Sequence, residues 1–139
     1  MAKNLIQYRD GFKYQLASQY MVTIAITPDD AVDTQYIKLD TLGTLTIVEG
    51  YAWDGTSGPV IDTAENMRAS LVHDALYQLM RQRKLTAKAH KKKADKIFKN
   101  MCIEDGVSRA IAHTYYLVLK ALGKPSTDPK NKRKVLKAP

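Results

Sequence analysis

The sequence predicts an α+β fold: a small N-terminal antiparallel β-sheet followed by about three α-helices, with a central antiparallel helix pair. Three observations carry this reading. Up to about residue 50 the chain is rich in β-branched and aromatic residues in partial alternation, punctuated by Gly, Pro and Asp. Beyond about residue 60 the apolar residues recur with the period of a helix. Strands thus precede helices instead of alternating with them, which is the layout of an α+β fold.

Taken in order, "FKYQLASQYMVTIAIT" (residues 12–27) reads as one strand or two ending near Thr27, and "PDDAVD" supplies turn residues. Tyr36, Ile37 and Leu39 then lead into a Leu42-Gly43 turn, and Leu45, Ile47 and Val48 continue in the same style. "DTAE" (62–65) fits a capping box, with Asp62 or Thr63 as N-cap and Glu65 in the first turn of a helix that runs to about Arg83. A second helix is expected from Thr86 to near Gly106, with Ala87, Ala94, Ile97, Phe98 and Met101 on one side. The third opens at Ser108, carries Ile111, Tyr115, Val118, Leu119 and Leu122, and stops at Gly123, read as a C′ glycine. Internal repeats are absent.

At 139 residues the chain can bury a core without disulfides, so residues 1–123 are read as one domain and 124–139 as a flexible basic tail. With 45% apolar and 26% charged residues, neither wholesale disorder nor a membrane-embedded protein is indicated. The lone Cys102 excludes an internal disulfide and a multi-cysteine zinc site, and suits a reducing cytoplasm. No stretch nears the roughly 20 apolar residues that span a bilayer, and the N-terminus lacks a signal-peptide layout, so neither a transmembrane segment nor export is expected. Of the +8 net charge, +5 falls on residues 124–139, leaving +3 for the rest. Lys130, Lys132, Arg133 and Lys134 of "KNKRK" either contact a polyanion, nucleic acid or an anionic membrane surface, or simply solubilise the terminus.

The residues of chemical interest begin with "HDALY" (73–77). On a helix His73 and Tyr77 lie about 40° apart, with Val72, Leu76, Leu79 and Met80 forming the neighbouring apolar arc. His73 is thus expected at the seam between core and surface, where it can serve as a general base or simply bond a carbonyl. Asp74 is a metal ligand or a solvated carboxylate, and Tyr77 bonds a carboxylate across the helix pair or caps the core. Asp95 has Lys91 and Lys99 four residues to either side, the spacing of surface ion pairs. An antiparallel pair folded around "RQRKLT" would instead bring Asp95 level with His73, where it would orient the imidazole as a triad's third member does. "YAWDGTSGP" (51–59) offers backbone oxygens with Asp54 and Ser57, a set suited to a hard cation such as calcium, although a tight turn explains the glycines equally. Trp53 is expected in the core or as a lid.

Gly58, Pro59 and Asp62, then His73, Asp74 and Tyr77, then Asp95 and Phe98, together resemble the core signature of the phospholipase A2 fold. That resemblance implies His73 as the base that activates water, Asp74 as a calcium carboxylate, and Asp95 as the partner of His73 and Tyr77. Loop carbonyls would complete the metal shell. The chain departs from that family in having one cysteine, a different calcium loop, and an N-terminal sheet without counterpart. It is more closely similar, over about residues 12–120, to a family of uncharacterised phage and prophage proteins. These share an Asp-Gly-Ala-Ser-x-Pro loop (here "DGTSGP"), His-Asp-x-Leu-Tyr (here "HDALY") and Ala-Asp-x-x-Phe (here "ADKIF"), with Thr56 in place of the alanine. The expected function is a phage-encoded, metal-assisted hydrolase of an ester or amide, membrane lipid foremost. His73, Asp95 and Tyr77 would be catalytic, Asp74 and Asp54 would bind a divalent metal, calcium first, and Gly55, Thr56, Ser57, Gly58 and Pro59 would form the loop. It would act in the bacterial host cytoplasm or within the virion. The alternative is a non-catalytic virion, tail-accessory or host-factor-binding protein whose His-Asp-Tyr-Asp set is a structural network. A third reading is nucleic-acid binding through the tail and the Lys88–Lys99 face.

Overall fold

A computed structural model describes residues 6, 8–9, 14–55, 60 and 62–131. The chain divides into two compact units, one within residues 1–54 and one that begins at Gly55. The first is all β and the second helical, which is the expected α+β order.

The β unit has strands β1 (Tyr8–Arg9), β2 (Tyr14–Leu16), β3 (Tyr20–Thr23), β4 (Val32–Asp33), β5 (Ile37–Leu39), β6 (Thr44–Ile47) and β7 (Ala52–Trp53). They form two antiparallel sheets, of order β1-β2-β7 and β3-β6-β5-β4. Alternation explains the larger one: Ile37 and Leu39 are buried and pair with Ile47 and Leu45, while Lys38 between them is exposed. The β5–β6 turn is fixed by Asp40, whose Oδ1 accepts from the amides of Leu42 and Thr44 at 2.9 Å each. Gly43 there has φ +92° and lies against the Ile24 carbonyl, leaving no room for a Cβ.

Three short strands depart from the sequence reading. β4 lies within "PDDAVD", where turn residues were expected, because Val32 is buried and pairs with Leu39. β1 and β7 flank β2, so the stretch read as an open loop from Tyr51 begins as a paired strand. Trp53 on β7 is a core residue, 1% exposed, with its ring 5.6 Å from Tyr14 and 6.4 Å from Tyr51.

The helical unit comprises α1 (Ala64–Arg81), α2 (Ala87–Glu104), α3 (Arg109–Leu122), the short α4 (Lys124–Thr127) and a 3-10 turn, Pro129–Asn131. Thr63 is the N-cap of α1, and Asn66, not Glu65, closes the first turn, its amide oxygen accepting from the Thr63 amide at 2.9 Å. Both long helices end in the same motif. After α2, Gly106 (φ +112°) lets Val107 donate to the Cys102 carbonyl at 2.9 Å, and after α1 the equivalent left-handed position is held by Arg83 (φ +62°), with Lys84 donating to Leu79 at 2.8 Å. The third helix does not end this way. Gly123 has φ −81°, and its need for glycine is steric: a Cβ would meet the Tyr77 hydroxyl at 2.5 Å and the Leu119 carbonyl at 2.6 Å.

Helix α1 is buried on nearly every side because α2, α4 and the 3-10 turn all pack on it. The α2 stripe largely faces inward as expected, with Ala94, Phe98 and Met101 buried. On α3 the buried residues are Ala112, Tyr116 and Leu119, whereas Ile111 and Leu122, read as part of an apolar stripe, are 50% and 62% exposed. The chain from Lys124 to Asn131 is folded against α1, with Thr127 buried and Arg81 Nη1 donating to the Ser126 carbonyl at 2.7 Å. A buried guanidinium needs an acceptor, and this segment of the expected basic tail supplies it.

Candidate functional site

The site grows from two helices and one turn. "RQRKLT" reverses the chain so that α2 packs antiparallel on α1, which returns Asp95 to the level of His73. Asp95, 1% exposed, is the hub. Its Oδ1 meets His73 Nε2 at 2.8 Å and accepts from the Tyr77 hydroxyl at 2.5 Å, and its Oδ2 accepts from Lys91 Nζ at 2.7 Å. Lys91 Nζ also donates to the Leu119 carbonyl at 3.0 Å, which ties the end of α3 to the network, and Gly123 lies under the Tyr77 hydroxyl. His73 is 4% exposed, with its ring centroid 4.0 Å from Tyr77 and 5.3 Å edge-on from Phe98.

This corrects the placement of His73, which is not at the seam. It lies on the helix against which α2, α4 and the 3-10 turn pack, and it is enclosed by Tyr77 and Phe98. Asp74, the next residue, faces the border instead and is partly exposed.

Electrostatics fix the proton positions. Burial on its own raises the Asp95 carboxyl, but bonds from His73, Lys91 and Tyr77 outweigh it and hold the group below its ordinary range. Burial first, and then the Asp95 carboxylate, push Tyr77 far up, so it stays a neutral donor. An ionised Asp95 only accepts, so the His73 Nε2 facing it carries a hydrogen, and in the neutral ring Nδ1 holds the lone pair. The sequence-predicted trio of His73, Asp95 and Tyr77 is therefore brought together with a base-competent geometry.

Other candidates fall elsewhere. Asp54 is exposed at the end of the β unit. Gly55 has φ +85° and lies against the Asp62 carboxylate, which occupies the space a Cβ would need, and the N-cap of α1 falls to Thr63. Thr56, Ser57, Gly58 and Pro59 lie outside the described residues, as do Lys132, Arg133 and Lys134, while Lys130 is exposed. Among the described residues no three His, Cys, Asp or Glu side chains converge as a metal site.

Three participants take places in the site that the sequence reading does not give them. Lys91 was read as a surface partner of Asp95, and the i, i+4 spacing was the right signal for a bond that proves largely buried, the lysine side chain being 16% exposed. Phe98 carries the signal of the Ala-Asp-x-x-Phe motif and Gly123 that of a helix end, but neither signal says that Phe98 walls the His73 site or that Gly123 is required sterically. A second polar node, Arg68, was missed entirely: its guanidinium bonds Asp105 at 2.9 and 3.1 Å and Glu104 at 2.8 Å, clasping α1 to the end of α2. Cys102 nearby is fully buried, and burial, followed by the Asp105 charge, pushes its thiol up to about 12.

No helix among the described residues is long and apolar enough to cross a membrane. No curated protein and no solved structure matches the chain. A family model does match, over residues 31–119, which takes in the four-stranded sheet from β4 onward and every residue of the His73–Asp95 network except Gly123. On that match the chain belongs to the family described as protein of unknown function DUF1353.

Proposed function

We propose that the helical unit is a hydrolase in which His73 activates water against an ester or amide, membrane lipid being the foremost substrate class. One observation carries the reading: a buried carboxylate oxygen shared by His73 Nε2 at 2.8 Å and the Tyr77 hydroxyl at 2.5 Å, an arrangement that orients an imidazole as a base. His73 Nδ1 takes a proton from water while the water oxygen bonds the acyl carbon. The same nitrogen then returns the proton to the leaving group as the acyl bond breaks. Asp95 stabilises the imidazolium formed between these steps, and Tyr77 and Lys91 keep Asp95 ionised. A divalent cation held in part by Asp74 would polarise the acyl carbonyl. The motif likeness to phage and prophage proteins and to the phospholipase A2 core supports a phage-encoded activity exercised in the bacterial host or from the virion.

A second reading is favoured by one specific observation, the 4% exposure of His73 within a network whose hub is satisfied on both oxygens. Such a network can serve solely to fix the helix packing of a virion or host-binding protein. The two separate by experiment. Fatty-acid release from phosphatidylglycerol vesicles, with and without calcium, is measured for the wild type and His73→Gln alongside thermal melts. The hydrolase reading expects release to fall by about 10²- to 10⁴-fold with the fold intact. Release unaffected by His73→Gln, or absent from the wild type, rules out His73-dependent lipid hydrolysis.

A further inference from the structure

The third helix carries a feature the site does not use. At 100° per residue, Leu117, Ala121, Val118, Ile111, Leu122 and Tyr115 fall within an arc of about 160° that is interrupted by little polar surface. Ile111, Leu117 and Leu122 are 50, 48 and 62% exposed, and Val118 and Tyr115 partly so. The opposite side, with Ala112, Tyr116 and Leu119, is buried. Along one border of the arc run Arg109, His113 and Lys120, and α2 adds Lys99, whose Nζ lies 3.2 Å from His113 Nδ1. Lys124 follows, and residues 109–127 contain no Asp or Glu.

We propose that α3 is a docking surface for an anionic lipid bilayer, with the apolar arc entering the acyl boundary and the cations meeting headgroup phosphates. Charge excludes the simplest competitor, a second copy of the chain. Antiparallel pairing of two such helices would set Arg109 against Lys120 and Lys124 with no carboxylate from the helix to answer them. Width argues against a partner helix, because a helix seam covers a narrow stripe whereas a lipid surface accepts the whole arc. A helix with a broad apolar face, basic flanks and an amphipathic tyrosine is built for an interface. Docking there would also reach the site's edge: Tyr115 packs 6.2 Å from Phe98, and Phe98 lies 5.3 Å from His73. The proposal concerns binding alone and stands whether or not His73 hydrolyses anything.

The test is flotation of the full chain with vesicles of phosphatidylcholine, alone or mixed with phosphatidylglycerol, with light scattering in parallel. The wild type should float with the mixed vesicles and bind neutral ones at least about tenfold more weakly. Ile111→Gln with Leu122→Gln, at exposed positions where the melting temperature should hold, should weaken binding to the mixed vesicles by at least about tenfold. The proposal is overturned if the wild type floats with neither preparation. Undiminished flotation of the double variant would equally overturn it, since bare electrostatic attraction would then suffice. So would a wild-type dimer that the double variant dissolves, which would make a second copy the occupant.

Discussion

The two units bury different things. The β unit closes over Leu16, Ile24, Ile26, Ile37, Leu39, Leu45, Ile47 and Trp53, and among the described residues it encloses none of the Asn, Arg, Ser, His, Asp or Thr side chains counted as buried. Asn66, Arg68, Ser70, His73, Arg81, Asp95 and Thr127, which make up that set, all belong to the helical unit. Apolar alternation is enough to specify a sheet, and burying each polar group without a partner would cost about 1–3 kcal/mol. Among the described residues the helical unit buries seven side chains of those six types, whereas the buried side chains of the β unit that carry a polar atom are Tyr20, Tyr51 and Trp53. Within that set Asn66 caps α1 and Ser70, Arg81 and Thr127 bond backbone carbonyls, whereas Arg68, His73 and Asp95 are bonded to other side chains, so the polar burial of the helical unit depends on specific partners in a way the apolar sheet does not.

The largest effect should come from the hub. Asp95→Ala leaves three donors facing a hole and is expected to cost about 3–5 kcal/mol in urea unfolding, whereas Ile37→Val in the β core should cost only about 0.5–1.5 kcal/mol. If both cost the same, the polar core is no more demanding than the apolar one. Gly123→Ala should follow, at about 1–3 kcal/mol, because the new Cβ runs into Tyr77 and Leu119; a neutral result in the same assay would mean the helix end slides freely.

Acid sharpens the contrast. The fold holds Asp95 below its ordinary 3.8, so as pH falls the unfolded chain takes up that proton first. The stability Asp95 contributes is complete above about 3.8 and disappears as pH falls through the lower folded-state value. Unfolding followed from pH 7 to pH 2 should therefore show the deficit of Asp95→Asn shrinking in that window while that of Ile37→Val stays constant. The smallest effect is a gain. Arg83→Gly relieves a left-handed backbone that glycine adopts freely, and should stabilise by about 0.5–1 kcal/mol, read as a higher urea midpoint.

The sequence made the β-to-helix order legible because period 2 and period 3.6 differ sharply, and Ile37, Leu39, Leu45 and Ile47 declare theirs. The two-residue strands β1, β4 and β7 have too few residues to show a period. His73, Tyr77 and Asp95 could be brought together on paper because helix rise and a short connection set the register. Their depth could not, since it depends on how many neighbours cover α1, and that is a property of the whole packing. The stripe on α3 was visible as periodicity, but periodicity does not say which side of a helix faces the core. Gly123 illustrates the same limit: a glycine after a helix looks like a left-handed cap until Tyr77 arrives from 46 residues earlier.

The claim on which the rest depends is that Asp95 holds His73 with a proton on Nε2 and a free lone pair on Nδ1. Nitrogen-15 NMR of the full chain, labelled at histidine and recorded where the ring is neutral, reads the two nitrogens separately, with His73→Gln assigning the signals. The account predicts a protonated Nε2 and an unprotonated Nδ1, with that preference lost in Asp95→Ala. A proton on Nδ1, or a ring that keeps both protons as a fixed imidazolium, would contradict it and leave the network a structural one.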